Sequence, residues 1–256
     1  MTESDADFIK TLKKLRQVQL SLYALDEDVH DTITGLKGSC KKTKKAISLL
    51  RDRNIPVFVS CPAMLENKNH FPDVMRKMNS ENIDNCVDLL IFGSSDYECD
   101  NLSHRLTEQD IQNFFSVAME NKGELSYIFK KSNPRNLSEI TFYGNADSLC
   151  VGADGTIYPM IGWYEPLGNC NTHTLEEVFY NNPLLQQIRT IKAADIPECA
   201  VCSASDFCGL CPTTHITANH GKLNRLNKEY CNYVHLIKKL AKQRDDILAS
   251  NRKNHH

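Results

Sequence analysis

An α/β fold is what this sequence predicts: a partial parallel (β/α) barrel fragment over residues 1–121, a connector over 122–144, and a small cysteine-rich domain over 145–256 made of a β-hairpin, cysteine loops and a C-terminal helix. Three observations carry that reading. Helical and strand-like patterns alternate along residues 1–121, the alternation breaks at 122–144, and five of the eleven cysteines crowd into the stretch from Cys199 to Cys231.

The elements of the first part follow in order. Thr2 with Asp5 three residues on is a capped helix start, and Phe8, Ile9, Leu12 and Leu15 recur at helical spacing, so a helix is expected over 3–15. Residues 18–23 read as a short apolar strand in which Ser21 stands out as polar on an element that should be covered. A loop is expected from 26 to 39, with Ser39 as the N-cap of a helix that runs through Thr43, Ala46, Ile47, Leu49 and Leu50 and stops near Asn54. Residues 55–61 form the next strand, and Pro56 stands at its start, where a missing N–H is tolerated. A helix over 69–82, a strand over 86–92 and a helix opened by Thr107 and Asp110 complete the alternation. Such alternation means a parallel sheet with helices packed on it through right-handed crossovers. Three strands fall short of the eight that close a (β/α) barrel, so Met1 is expected to lie inside a larger domain.

Gly123, Ser132, Asn133 and Pro134 mark the connector. Two short strands around the turn Ala153-Asp154-Gly155 read as a hairpin, helices are expected from Thr174 and Pro183, and a long helix over 228–250 presents Cys231 in its first turn.

Composition excludes several function classes. At 41% hydrophobic content the 256 residues can bury a sizeable core, and a formal charge of -2 with Lys and Glu intermixed gives no basic stripe for nucleic acid. The acidic N-terminus resembles no secretory signal, and no apolar run reaches transmembrane length, so a cytoplasmic protein without a membrane partner is expected. Reduced thiols are the default there, and paired cysteines read as metal ligands before disulfides.

The cysteine stretch reads Cys199-Ala-Val-Cys202, five residues, Cys208-Gly-Leu-Cys211, then Cys231. A Cys-x-x-Cys turn lets both thiolates reach one metal centre, and two such turns supply a four-sulfur site. Apolar residues are sparse here (Val201, Phe207, Leu210, Ile216), so ligation contributes the ordering that a core cannot. An iron–sulfur cluster, a zinc site and a disulfide knot all accommodate this pattern, and spacing alone does not separate zinc from iron.

From Ser148 to Cys231 the chain resembles the SPASM domain, the C-terminal iron–sulfur extension of radical SAM enzymes that modify peptides and proteins. The matching elements are Asp154-Gly155-Thr156-Ile157-Tyr158-Pro159, Leu167-Gly168-Asn169, Thr174-Leu175-Glu176-Glu177-Val178, the Cys199, Cys202, Cys208 spacing, and Cys231. Upstream, residues 19–23, His30-Asp31 and Gly38-Ser39 resemble the fourth strand and following loop of the radical SAM partial barrel. The resemblance implies that Cys199, Cys202, Cys208 and Cys231 hold an outer auxiliary [4Fe–4S] cluster, with zinc as the alternative occupant. It places Cys211 where the family supplies a ligand to an inner cluster and Ser21 where relatives contact S-adenosylmethionine. Met160 replaces the hairpin cysteine of the family, which puts the inner cluster in question unless Cys150 has moved into that role. Cys150 and Cys170 otherwise read as packing residues, as do Cys40, Cys61, Cys86 and Cys99; His215 and His220 are possible stand-in ligands, and His30-Asp31 a helix cap.

What the resemblance implies is the C-terminal part of an enzyme that modifies a side chain of a ribosomal peptide or protein, for example by thioether or other crosslink formation, with the auxiliary cluster passing electrons or structuring the domain. The Cys-x-x-x-Cys-x-x-Cys triplet that holds the SAM-cleaving cluster in that family occurs nowhere in the chain. It is therefore expected to be inactive alone, with the missing barrel half or a partner subunit supplying that chemistry. The alternatives are a non-catalytic module that binds a peptide or partner, and a zinc-stabilised structural domain.

Overall fold

A computed structural model describes all residues except 95, 121–124, 130–147, 193–194, 209–211, 222–225 and 254–256. Most of the expected connector lies outside the described residues. Two compact units emerge: Met1–Ile91 with His104–Ile128, and Phe92–Ser103 with Phe129–His256.

The first unit is built on three parallel strands, β1 (Val18–Ser21), β2 (Val57–Pro62) and β3 (Asp84–Asp88), in the order β1-β2-β3. Ser21 pairs with Ser60, and Ser60 with Cys86, so the three form one row across the sheet. Side chains alternate between faces along a strand. One face carries Val57, Val59 and Cys61, all buried; the other carries Gln19, Ser21, Phe58, Ser60, Pro62, Asp84, Cys86 and Asp88, of which Gln19, Ser21, Asp84 and Asp88 are exposed and Ser60 is buried. A parallel sheet is ordinarily covered on both faces, so this polar face is unusual. β3 ends earlier than its apolar run suggests because its partner ends at Pro62, paired with Asp88.

The helices of this unit are α1 (Glu3–Lys10), α2 (Glu27–Thr34), α3 (Ser39–Arg51), α4 (Phe71–Ser80) and α5 (Glu108–Met119). α3 lies against β1 and β2, and α4 against β2 and β3. They bury Ala46, Ile47, Leu49 and Leu50 from α3 and Phe71, Val74, Met75 and Met78 from α4, with Phe71 edge-on to Phe114 of α5 at 4.6 Å. The capping boxes Thr2–Asp5 and Thr107–Asp110 form as expected, although α1 stops at Lys10 rather than continuing to residue 15. Residues 26–39 are not a plain loop. Asp26 caps α2 through the Val29 N–H at 3.0 Å, and Gly35 closes it in the left-handed conformation. Ser39 is not the N-cap of α3; Gly38 takes that position, and Ser39 hydrogen-bonds Asp31 at 2.9 Å.

In the second unit, β4 (Cys150–Val151) and β5 (Thr156–Tyr158) form the antiparallel hairpin, and β6 (Gly168–Asn169) adds a third short strand to β5. Asp154 holds the turn by accepting from the Thr156 N–H at 3.0 Å and hydroxyl at 2.8 Å, and Gly155 supplies the positive φ. Helices α6 (Leu175–Asn181), α7 (Pro183–Thr190), α8 (Pro197–Ala200), α9 (Pro212–Thr217) and α10 (Lys228–Lys253) follow. Ile157, Trp163, Leu167, Val178, Leu185, Ile188 and Ile216 make one buried cluster. Residues 92–103 belong here: Gly93 N–H donates to the Thr217 hydroxyl at 3.0 Å, and Tyr164 N–H to the Tyr97 hydroxyl at 3.0 Å. Among the described residues no helix is long and apolar enough to cross a membrane.

Candidate metal centre

Four thiols reach one cavity by a chain of tight turns. Cys199 lies in α8, its carbonyl accepts the Cys202 N–H at 3.1 Å, Cys202 O accepts from Ser205 at 3.3 Å, and Ser205 O accepts from Cys208 at 3.2 Å. Each step advances three residues, which returns side chains to one side of the coil. Cys231 enters from the first turn of α10, where its N–H is bonded to Asn227 O at 3.1 Å. Lys238, further along α10, donates to Ser203 O at 2.6 Å and ties the helix to the cysteine loop.

The cavity has a volume of about 160 Å³ and is lined by Cys199, Cys202, Cys208 and Cys231 together with Glu198, Ser205, His215, Leu226, Val234 and His235. Among the described residues, no three His, Cys, Asp or Glu side chains draw tightly enough together for one metal ion. Burial first, then the neighbouring Cys208, Cys231 and Cys202, pushes the Cys199 thiol up to about 11; burial, Cys208 and Cys202 raise Cys231 likewise. Four thiols facing a shared, partly dry space repel one another as anions, and a multivalent cation in that space would reverse the penalty. The donor set therefore fits a thiolate-ligated centre.

Cys211 lies outside the described residues. Cys150 does not line the cavity: it sits on β4 opposite Tyr158. Met160 bridges to Trp163 and packs against the apolar cluster. Cys170 is exposed, Cys40 and Cys61 are buried, and all ten described cysteines are free thiols. His215 does line the cavity, but its Nδ1 accepts the Asn227 N–H at 2.8 Å, and burial pushes its pKa down to about 4, so it is a neutral imidazole at neutral pH. His220 is elsewhere, beside Cys99.

Two neighbours escaped the sequence reading. Tyr230 hydroxyl is 3.9 Å from the Cys208 sulfur, and His235 Nε2 is 3.8 Å from the Cys202 sulfur. The signal was present, since His235 is four residues beyond Cys231 and shares its helix face. In the other unit, Ser21 ends β1 and is exposed rather than buried; His30 accepts the Tyr23 N–H at 3.2 Å, and Asp31 caps α3 through Gly38, Ser39 and Cys40.

Family profiles give no match to this chain. One curated protein, the antilisterial bacteriocin subtilosin biosynthesis protein AlbA of Bacillus subtilis (strain 168), is 33% identical over 78 residues, covering 30% of this chain and 17% of that protein. Solved structures match far more widely. The anaerobic sulfatase-maturating enzyme anSMEcpe with bound AdoMet and Kp18Cys peptide aligns with a TM-score of 0.59 at 19% identity, over 98% of this chain and 73% of that one. Streptococcus suis SuiB bound to S-adenosylmethionine aligns with a TM-score of 0.58 at 15% identity, over 90% of this chain and 57% of that one.

Proposed function

We propose that this chain, which resembles the radical SAM/SPASM enzymes in its motifs and has the fold of their peptide-modifying members, is the C-terminal part of an enzyme that modifies a side chain of a ribosomal peptide or protein. Thioether or other crosslink formation is the reaction class this reading favours. Residues 1–121 would be the partial barrel, apart from 92–103, which pack with the second unit, 122–144 a connector and 145–256 the SPASM domain. The observation that carries the reading is the cavity lined by Cys199, Cys202, Cys208 and Cys231, within a chain that aligns over 98% of its length with an AdoMet- and peptide-bound enzyme.

The four cysteines would hold an auxiliary [4Fe–4S] cluster, which supplies one-electron redox capacity and a crosslink between the cysteine loop and α10. A zinc ion, with Zn–S bonds of about 2.3 Å, is the alternative occupant of the same four thiols. Cys199, Cys202 and Cys208 present their sulfurs from successive turns, Cys231 fixes the start of α10, and Tyr230 and His235 stand as polar neighbours to the sulfurs. Ser21, Ser60 and Cys86 make a polar row across the sheet that is exposed at its Ser21 end, and Ser21 would be the contact to the polar end of S-adenosylmethionine. The SAM-cleaving step needs the Cys-x-x-x-Cys-x-x-Cys triplet that this sequence lacks, so the chain alone yields no 5′-deoxyadenosine from SAM and dithionite.

Iron and acid-labile sulfide analysis of anaerobically prepared protein tests the centre. About four irons and four sulfides per chain are expected, with Cys202→Ser or Cys208→Ser losing most of them and Cys170→Ser retaining them. Stoichiometric zinc with no iron, or full iron loading in either ligand variant, refutes the assignment.

A further inference from the structure

The first two turns of α10 bring more than a ligand to the four-thiol cavity. Cys231 is preceded by Tyr230, whose hydroxyl stands 3.9 Å from the Cys208 sulfur, and followed one turn on by His235, whose Nε2 stands 3.8 Å from the Cys202 sulfur. Contacts to sulfur are longer than those to oxygen because the atom is larger, and both distances are within their reach. A protonated Cys208 donates to the Tyr230 hydroxyl. A thiolate on iron has no proton to give, so the hydroxyl turns about its C–O bond and donates to the sulfur instead. With its proton on Nε2, His235 makes the same contact to the Cys202 sulfur.

Tyr230 is fixed by its surroundings. It is 8% exposed, its N–H donates to Oδ1 of Asn227 at 2.9 Å, and its ring stands edge-on to His215 at 5.0 Å. His215 Nδ1 in turn accepts the Asn227 N–H at 2.8 Å, so asparagine, histidine and tyrosine form one set of contacts at the root of the helix. His235 is exposed, and the Lys238 bond to Ser203 O keeps its helix beside the Cys202 loop. A hydrogen bond in dry surroundings is worth more than one open to water. Tyr230 therefore outweighs His235.

We propose that Tyr230 and His235 are positioning residues of the four-cysteine centre, donating to the Cys208 and Cys202 sulfurs and raising the potential at which its cluster takes up an electron. This role presupposes the iron–sulfur reading given above. One electron passes to the centre from an external one-electron reductant; no bond to sulfur breaks and no proton is transferred. Reduction adds a negative charge that spreads onto the thiolates, so a donor aimed at a thiolate stabilises the reduced form more than the oxidised one.

The test is a redox titration. The full chain, prepared and loaded anaerobically, has its iron counted and is then titrated with dithionite at pH 8 against mediator dyes, and the loss of visible absorbance gives the potential. Tyr230→Phe keeps the ring and removes only the oxygen; the one-electron reduction constant should fall roughly three- to tenfold, a tenfold fall being about 59 mV. His235→Leu should lower it by about two- to threefold, and His235→Gln, whose amide N–H is an uncharged donor, should restore it. Tyr180→Phe, at a 63% exposed position outside the cavity, should leave it unchanged. A wild-type chain that binds no iron refutes the cluster itself, and this role falls with it. A loaded chain in which Tyr230→Phe or His235→Leu keeps the wild-type potential refutes the role alone, as does a His235→Gln potential no higher than that of His235→Leu. Because His235 is exposed, its two variants decide the matter even where Tyr230→Phe holds no iron.

Discussion

Replacing Ile157 by Ala tests the core that supports the cysteine domain. Ile157 is fully buried on β5 among Trp163, Leu167, Val178, Leu185, Ile188 and Ile216. Removing three carbons forfeits about 0.8 kcal/mol each in transfer free energy. The neighbours cannot collapse freely into the gap, because Leu167 N–H is bonded to Ile157 O at 2.8 Å and holds the hairpin extension at its present distance. The residual void raises the expected cost to about 3–4 kcal/mol, inside the range seen for such truncations. Trp163 is the chain's single tryptophan and belongs to the same cluster, so its emission reports this unit directly. In a urea titration with a slope of roughly 1–3 kcal/mol/M, the midpoint should fall by about 1–4 M. Val151→Ala, on the same hairpin but 46% exposed, should move it by less than about 0.5 kcal/mol. If Ile157→Ala shifts the midpoint no further than Val151→Ala does, the packing argument for this domain fails.

Other outcomes follow from single contacts. A Cβ at Gly93 would collide with the Thr217 carbonyl oxygen, which is backbone and cannot rotate away; Gly93→Ala should destabilise the unit by about 1–3 kcal/mol, read again from Trp163. Asp31 is held below its usual value of 3.8 by the Cys40 N–H first, then the Gly38 N–H and the Ser39 hydroxyl. A depressed carboxylate stabilises the fold above its unfolded-state pKa and loses that contribution as pH falls through the lower folded value. Below about pH 4 the wild-type chain should therefore weaken more steeply than Asp31→Asn, in urea titrations followed by far-UV circular dichroism. At neutral pH the same substitution should lower the midpoint, since an amide cannot replace a carboxylate that accepts from three donors; an unchanged midpoint would show that Asp31 does not anchor α3.

What the sequence made legible was whatever is decided locally. Three capping boxes, Thr2–Asp5, Thr107–Asp110 and Thr174–Glu177, form where the S/T-x-x-D/E pattern stands, because donor and acceptor are three residues apart. The four cysteines that the spacing singles out, Cys199, Cys202, Cys208 and Cys231, line one cavity. Errors arose where a distant partner decides. Ser39 lost its capping place because Asp31, eight residues earlier, claims its hydroxyl. The strand expected over 86–92 is found at Asp84–Asp88, cut short by the end of β2 rather than by anything in its own residues. β6, only Gly168 and Asn169, has no propensity to read and exists because β5 offers it an edge. The helix from Asp26 to Gly35 carried its signals, an aspartate cap and a closing glycine, which the polar composition of the segment obscured.

α10 ties two distant places of its unit together. Cys231 stands in its first turn, and Arg244, thirteen residues on, donates to Phe129 O at 2.8 Å. At 1.5 Å per residue these points are about 20 Å apart along a rigid rod. A lever of this length carries a small rotation at its root into a displacement of several ångströms at the far attachment.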